Sequence, residues 1–408
     1  MAAGFAMYRG CWAGPSSNVV DYSILFYSPV SDGKRLNVLT RKLSWRVRGK
    51  RERVRYKEET RAWNVAACSS VPHVKQEERL SSSSQLGRDE GGKKGEAGGL
   101  GEDDDDVPSF SHGKLLSEIS SWGIGGPAKL YLEVHDPPQL ASALRYCQNH
   151  NIPWFVVGKG SNCLFDDRGF DGCIILNRIN FVEVLDSGIY RVGSGHAFNI
   201  FGMLCSCDGF SGLEFASGIP GTVGGAIFMN AGADGQETAD VLQSVEIVTS
   251  SGDWCTLSKE REELAYSYRT SPFQKMKHVA AIVAATFQLT PCPNARQRQK
   301  LFLDRRRRTQ PVAERSAGCV FRNPGTGCES AGALIDAAGL KGMSIGAARV
   351  SEKHANFLVN DGAARSQDMQ ALIALVKKQV YEKLGVQLQE EVQYVPCSSW
   401  VDTASVLF

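Results

Sequence analysis

The segment Ser217–Gly232, S-G-I-P-G-T-V-G-G-A-I-F-M-N-A-G, constrains the fold of this chain more than any other stretch. Gly218, Gly221, Gly224 and Gly225 crowd its first half. Glycine at that density reads as backbone that must take positive φ or let another group come close. Two shorter turns resemble it: Gly123, Gly125 and Gly126 in S-W-G-I-G-G-P-A, and Gly158 and Gly160 in V-V-G-K-G-S-N. Glycine makes up 42 of 408 residues, above the usual ~7%, and the excess divides between these turns and a hydrophilic stretch before residue 107. In V-V-G-K-G-S-N-C-L a buried-type strand runs into the turn. Ser161 and Asn162 add side-chain donors, and consecutive amides there can form a nest for phosphate oxygens. Gly224-Gly225-Ala226 is placed to begin a helix whose N-terminal dipole favours an anion. One such turn fits tight packing; several in one body point to a large phosphorylated ligand.

The commonest phosphate-binding folds are excluded. No early strand is followed by G-x-G-x-x-G with an acid about 20 residues on. There is no G-x-x-x-x-G-K-S/T, no G-x-S-x-G and no H-E-x-x-H. Lys and Arg total 46 against 44 for Asp and Glu, a formal charge of +2, so no net field argues for nucleic acid. The 12 cysteines are scattered without a C-x-x-C pair, so neither a disulfide scaffold nor a zinc knuckle is expected. No run approaches ~18 apolar residues, so no membrane span is expected. Val19–Val30 is short and contains Asp21, a poor secretory core.

Residues 1–50 carry eight Lys or Arg and only Asp21 and Asp32 as acids. A basic, acid-poor start is the character of an organelle transit peptide. Ser81–Ser84, the Gly-Lys pairs near residue 93 and Asp103–Asp106 then offer few apolar side chains to offset ordering entropy. The acidic run reads as solvated rather than as a metal site. The folded body is expected from about residue 112. Strand patterns fall at Leu130–Val134, Trp154–Val157, Cys173–Leu176, Ile189–Val192, Val245–Thr249 and Val279–Leu289. Helical periodicity falls at Gln139–Asn149, Arg296–Arg307, Gly332–Ala338 and Gln367–Leu384. The interleaving predicts an α/β or α+β body. The basic run Arg305–Arg308 reads as a solvated helix end.

With these residues in hand, 112–395 resembles the UDP-N-acetylenolpyruvoylglucosamine reductase (UDP-N-acetylmuramate dehydrogenase) family of flavoenzymes. The agreement runs through Gly125–Ala128, Gly158–Asn162, Gly218–Gly232, Tyr268-Arg269, Ser316–Pro324, His354–Asn360 and Leu388–Val392. The resemblance implies an α+β fold: a two-subdomain FAD-binding fold of the vanillyl-alcohol-oxidase type, plus a C-terminal α+β substrate-binding domain. The region after Tyr268-Arg269 lacks a long insertion, as in the family's shorter, second type. The expected organisation is a transit peptide over 1–60 and a disordered linker over 61–111. FAD-binding subdomains follow over 112–180 and 181–292, then a substrate-binding domain over 293–395 and a tail over 396–408.

The implied reaction reduces UDP-N-acetylglucosamine enolpyruvate to UDP-N-acetylmuramate in peptidoglycan precursor synthesis, with NADPH reducing FAD and flavin N5 passing hydride to the substrate. Gly158, Gly160, Ser161 and Asn162 are expected at the FAD diphosphate. Gly218, Ile219, Pro220, Gly221, Thr222, Gly224 and Gly225 form the second cofactor segment. Arg269, in A-Y-S-Y-R-T-S, matches the residue that meets the substrate carboxylate; its guanidinium keeps its charge and offers a planar fork. Glu391, in L-Q-E-E-V, is expected to help stabilise the enolate-like charge. Cys319, in S-A-G-C-V-F-R-N-P, stands where the family commonly has the serine proton donor. A thiol also donates, and its reference pKa of about 8.5 predicts a rate that bends down at high pH. Tyr268, Arg322, Asn323, His354 and Asn356 are expected to support the substrate site. Two other readings stay open: a related FAD-dependent oxidoreductase with another substrate, and a non-catalytic nucleotide- or flavin-binding protein. The basic start before a bacterial-type body suggests a plant chloroplast homologue.

Overall fold

The computed structural model of the chain describes residues 108–398 apart from 259–263, 277 and 326, and, before them, the backbone of five strands. It divides into two units, Met1–Asp105 and Asp106–Phe408. In the first, Ala6–Cys11, Val19–Pro29, Arg35–Arg46 and Arg55–Tyr56 pair in sequence order, and Asn64–Ala66 joins Arg35–Arg46. These strands lie within the stretches 1–60 and 61–111 expected as transit peptide and linker. The β-branched and aromatic residues of Val19–Pro29 favour extended backbone. The rest of those two stretches up to Val107, including Asp103–Asp106, lies outside the described residues. The larger unit is described from Pro108, slightly before the expected start, and Ser111 N–H donates to the Tyr131 carbonyl at 2.9 Å.

The larger unit begins with a parallel sheet in which Phe170–Asn177 lies between Ala128–Val134 and Trp154–Val157. F-D-G-C-I-I-L-N is nearly continuously buried, as a central parallel strand covered on both faces requires. Helix α1 (Pro137–Asn149) starts where Pro137 and Pro138 preset φ and the Asp136 carboxylate accepts from Gln139 N–H at 2.9 Å. Its Leu140, Ala141, Ala143, Leu144 and Cys147 are buried. A five-stranded antiparallel sheet follows, in the order Val182–Asp186, Ile189–Gly193, Val279–Gln288, Leu242–Thr249, Trp254–Ser258. Helices α2 (Phe198–Cys207), α3 (Val223–Met229) and α4 (Ala295–Thr309) belong with it. The last part pairs Arg315–Ser316, Leu358–Asn360, Ala348–Val350 and Ser344–Ile345 antiparallel, with α5 (Ala331–Ala337) and α6 (Ser366–Leu384).

All ten expected elements form within a few residues of their predicted ends. Helices α2 and α3 were not marked by periodicity: the first is apolar nearly all round and the second starts V-G-G.

The chain crosses the expected internal boundaries in three places. Helix α4, expected in the substrate domain, packs against α2. Gln393–Val395 returns to pair in parallel with Cys163–Phe165. Trp122 and Ile124 sit in the C-terminal core with Val320, Phe321 and Leu358. The Trp122 indole N–H donates to the Leu358 carbonyl, and Asn360 Nδ2 donates to the Trp122 carbonyl, both at 2.8 Å. The Asp167 carboxylate accepts from Ser366 N–H at 2.9 Å and from its hydroxyl at 2.8 Å, at the start of α6. Among the described residues no helix is long and apolar enough to cross a membrane, and no group of three His, Cys, Asp or Glu is placed to hold a metal.

Trp122 is fully buried. Trp122→Ala should cost about 3–5 kcal/mol, read as a lower denaturation midpoint in urea.

Candidate functional site

Arg269 occupies the third position of a tight turn: Thr270 N–H donates to the Ser267 carbonyl at 2.9 Å, and Arg269 has φ +53°. An arginine in the left-handed region is uncommon and costs of order 1–3 kcal/mol. The surrounding bonds hold it there. Gln274 Nε2 donates to the Arg269 carbonyl at 3.2 Å and to the Phe228 carbonyl at 2.9 Å. The guanidinium donates through Nε to Glu391 Oε1 at 3.0 Å, through Nη1 to the Asn230 carbonyl at 3.3 Å and through Nη2 to the Gly232 carbonyl at 2.7 Å. Tyr268 is exposed, its ring 4.9 Å from the Arg269 guanidinium carbon, and its hydroxyl accepts from Asn323 N–H at 3.3 Å.

Glu391 arrives from the far end of the chain. The returning strand Gln393–Val395 carries it beside the first glycine turn, where Asn162 Nδ2 donates to its carbonyl at 3.1 Å. Its own N–H donates to the Val320 carbonyl at 2.7 Å, which ties it to the Cys319 loop. Burial pushes the Glu391 carboxyl above the usual range, while Arg269 and Arg322 pull it down. Burial pushes the Cys319 thiol up to about 12; the Glu391 charge adds to this, and the Arg269 and Arg306 guanidiniums oppose it. The expected bend at high pH is therefore corrected. The thiol stays protonated well beyond pH 8.5, because it is desolvated and faces a carboxylate.

Arg306 was missed. The run Arg305–Arg308 reads as a solvated helix end, and Arg305, Arg307 and Arg308 are exposed. Arg306 instead turns inward, its side chain lying over Gly218 so that a Cβ there would meet Arg306 Cδ at 2.4 Å. The signal was in the spacing: Ala295, Gln299, Phe302 and Arg306 share one face of α4, and the first two are buried. Burial lowers its pKa, though a guanidinium keeps its charge. Arg306, Phe215, Asp234, Phe302, Gln310 and His354 help line a cavity of about 350 Å³. Asn230 was also missed as a site residue. It caps α3 in the left-handed region, is fully buried, and donates to Glu237 at 2.7 Å and to the Ser267 carbonyl at 2.9 Å, framing Arg269.

The supporting residues divide. His354 lines the cavity, and burial lowers its pKa. Arg322 acts on Glu391 through its charge, and its buried Nε lacks a hydrogen-bond partner. The Asn323 amide oxygen accepts from Ala331 N–H at 3.0 Å, at the start of α5. Asn356 departs from expectation as a substrate contact. It is buried and its amide pairs with both backbone groups of Phe321, at 2.9 and 2.8 Å. It therefore clamps the Cys319 loop.

The two cofactor segments meet: a Cβ on Gly158 would lie 2.3 Å from Thr222 Oγ1, and one on Gly221 would lie 3.7 Å from Ser161 Oγ. Their amides differ. Those of Lys159, Gly160 and Ser161 donate to nothing among the described residues, so they fit a phosphate nest, whereas the Asn162 amide donates to the Cys163 thiol. The Asn162 side chain is not free for it, being bonded to Glu391. In the second segment Val223 N–H donates to the His196 carbonyl at 2.9 Å, Gly224 N–H to the Ser194 carbonyl at 2.8 Å and Gly225 N–H to Thr222 Oγ1 at 3.3 Å. The expected anion site on the first amides of α3 is thereby corrected, since those donors are already used. Ile219 and Pro220 contribute surface beside the meeting of the segments, whereas Gly221 is buried within it.

The larger unit is similar to known proteins. Residues 128–258 match the family model for an FAD binding domain, and 310–395 match that for the C-terminal domain of UDP-N-acetylenolpyruvoylglucosamine reductase. The chain is 52% identical over 282 residues to the UDP-N-acetylenolpyruvoylglucosamine reductase of Protochlamydia amoebophila, covering 69% of this chain and 92% of that one. It is 49% identical over 281 residues to that of Chlamydia trachomatis serovar A, covering 69% and 94%. The crystal structure of UDP-N-acetylenolpyruvylglucosamine reductase from Thermus caldophilus superposes with a TM-score of 0.59 at 33% identity, covering 71% of this chain and all of that one.

The charge pattern around Cys319 has a direct consequence. Glu391→Gln removes the carboxylate that disfavours the thiolate, so the Cys319 pKa should fall. Site-resolved alkylation with iodoacetamide at pH 9 should be slow in the wild type and faster in Glu391→Gln.

Proposed function

The chain belongs to the UDP-N-acetylenolpyruvoylglucosamine reductase family, and on that premise we propose that it reduces UDP-N-acetylglucosamine enolpyruvate to UDP-N-acetylmuramate, with FAD as cofactor and NADPH as electron donor. This is a reductive step of peptidoglycan precursor synthesis. The observation that carries the reading is the convergence of Arg269, Glu391 and Cys319 beside the paired glycine segments, from positions up to 122 residues apart. The open amides of Lys159, Gly160 and Ser161 fit the diphosphate of FAD.

FAD, when bound, supplies the hydride. The protein's part is to receive the negative charge and deliver a proton. A guanidinium has five N–H groups; three are used on Glu391, Asn230 and Gly232, which leaves one on Nη2 and one on Nη1, itself 4.0 Å from Glu237 Oε1, to meet the substrate carboxylate. Those internal bonds fix the fork in place before substrate arrives, so little reorganisation is needed as charge develops. Cys319 holds its proton through neutral pH and gives it to the carbon next to the carboxylate. The thiolate left behind lies in the field of Arg269 and Arg306, which offsets part of the cost set by burial and the Glu391 charge. Glu391, raised toward its protonated form, anchors Arg269 and favours charge delocalised over the enolate oxygens when it carries a proton.

The reaction is tested anaerobically. NADPH should bleach the flavin of the purified protein, and UDP-N-acetylglucosamine enolpyruvate should restore its colour. Flavin reduced by NADPH but not reoxidised by this nucleotide would reject the substrate. Cys319→Ala should slow reoxidation by about 10²–10⁴-fold, the range of a lost general acid, while flavin reduction by NADPH stays near wild type. Cys319→Ser should retain turnover. An alanine variant with wild-type reoxidation would remove the donor role.

We further propose that the chain acts in a plastid. The basic, acid-poor composition of residues 1–50 supports this. A full-length fluorescent fusion should enter chloroplasts in plant cells; exclusion would refute the address.

A further inference from the structure

The first amides of α3 are bonded within the fold, so an anionic ligand at the meeting of the glycine segments needs charge from another source. Two side chains at that place are suited to it. Lys159 lies between Gly158 and Gly160, and among the described residues its ammonium makes no hydrogen bond or ion pair. His196 lies across from it. Its carbonyl accepts from Val223 N–H, and its neighbour Ala197 pairs with Thr222, whose hydroxyl closes on Gly158. His196 Nδ1 is 2.5 Å from Asn180 Oδ1, to which it donates; Nε2 is buried and has no partner. In neutral His196 that nitrogen is a bare acceptor; protonated, it is a second donor.

We propose that Lys159 and His196 form a cationic contact for the FAD diphosphate, and that His196 takes up a proton from solvent as the cofactor binds. The inference rests on the FAD reading above. The groups facing His196 are Lys159, Asn180 and, edge-on from α2, the Phe201 ring. Lys159 in turn faces Arg178, which pairs with Glu133 at 3.7 Å. Without a ligand, burial and the Lys159 charge hold His196 down to about 4, so it is neutral at pH 7. A diphosphate supplies the missing opposite charge and raises the pKa of the bound state. FAD affinity then increases as pH falls through that bound-state value, and levels off only near the free-protein value of about 4. Lys159 is deprotonated more readily than an ordinary lysine because it is buried beside Arg178. The same diphosphate favours its charged form.

The test uses the full chain, stripped of flavin and titrated with FAD by flavin fluorescence. Wild type should bind FAD about 10-fold more tightly at pH 5.5 than at pH 7.5, the yield of one proton taken up across about one unit of that range. His196→Asn should bind with little pH dependence over the same interval. Lys159→Gln should bind about 10-fold more weakly at every pH, as expected for one lost charge-assisted bond, and with a shallower salt dependence. Wild-type affinity that does not change from pH 5.5 to 7.5 would overturn the proton uptake without any variant. Wild-type FAD affinity in both variants would overturn the contact. A wild-type protein that binds no FAD would instead overturn the cofactor reading on which the proposal rests.

Discussion

The parallel pairing of Gln393–Val395 with Cys163–Phe165 is the constraint on which the site depends. It draws the end of the described chain back to the first glycine turn and leaves Glu391 just ahead of the strand, bonded to Asn162 on one side and to Val320 on the other. From there the carboxylate meets Arg269 at 3.0 Å. Both side chains are largely buried. Removing one partner of such a pair leaves an uncompensated charge, at about 3–5 kcal/mol. The strained Arg269 turn and the returning strand therefore hold each other in place.

The same pairing sets the proton chemistry. A thiol in water would lose its proton near pH 8.5. Cys319 keeps its own because the cleft desolvates it and Glu391 faces it. Arg269 and Arg306 act in the opposite sense and bear most on the thiolate. The site therefore holds the thiol protonated at rest, and the two guanidiniums offset only part of the cost of its charged form. The donor role proposed for Cys319 rests on this environment, which differs from free solution.

The two glycine segments do different work despite similar sequences. In the first, the amides of Lys159, Gly160 and Ser161 are open. In the second, the amides that begin α3 hold Ser194, His196 and Thr222, and glycine serves for close approach. A run of glycines announces that backbone comes near something. Which backbone groups remain free depends on neighbours distant in sequence.

Periodicity alone placed the principal strands and α1, α4, α5 and α6, because alternation and 3.6-residue spacing are local consequences of burying one face. The motifs around Gly158, Gly218, Arg269, Cys319 and Glu391 marked the site by resemblance. The inward turn of Arg306 was present in the spacing of α4 but hidden within four consecutive arginines. Asn356 looked like a substrate residue and is a loop clamp, since an amide's role depends on which partner it meets. Local pattern determined the elements and the chemical groups available. Only the tertiary structure decided which charges share a desolvated cleft and which donors are already used, because burial and Coulomb interaction depend on distance in space rather than along the chain.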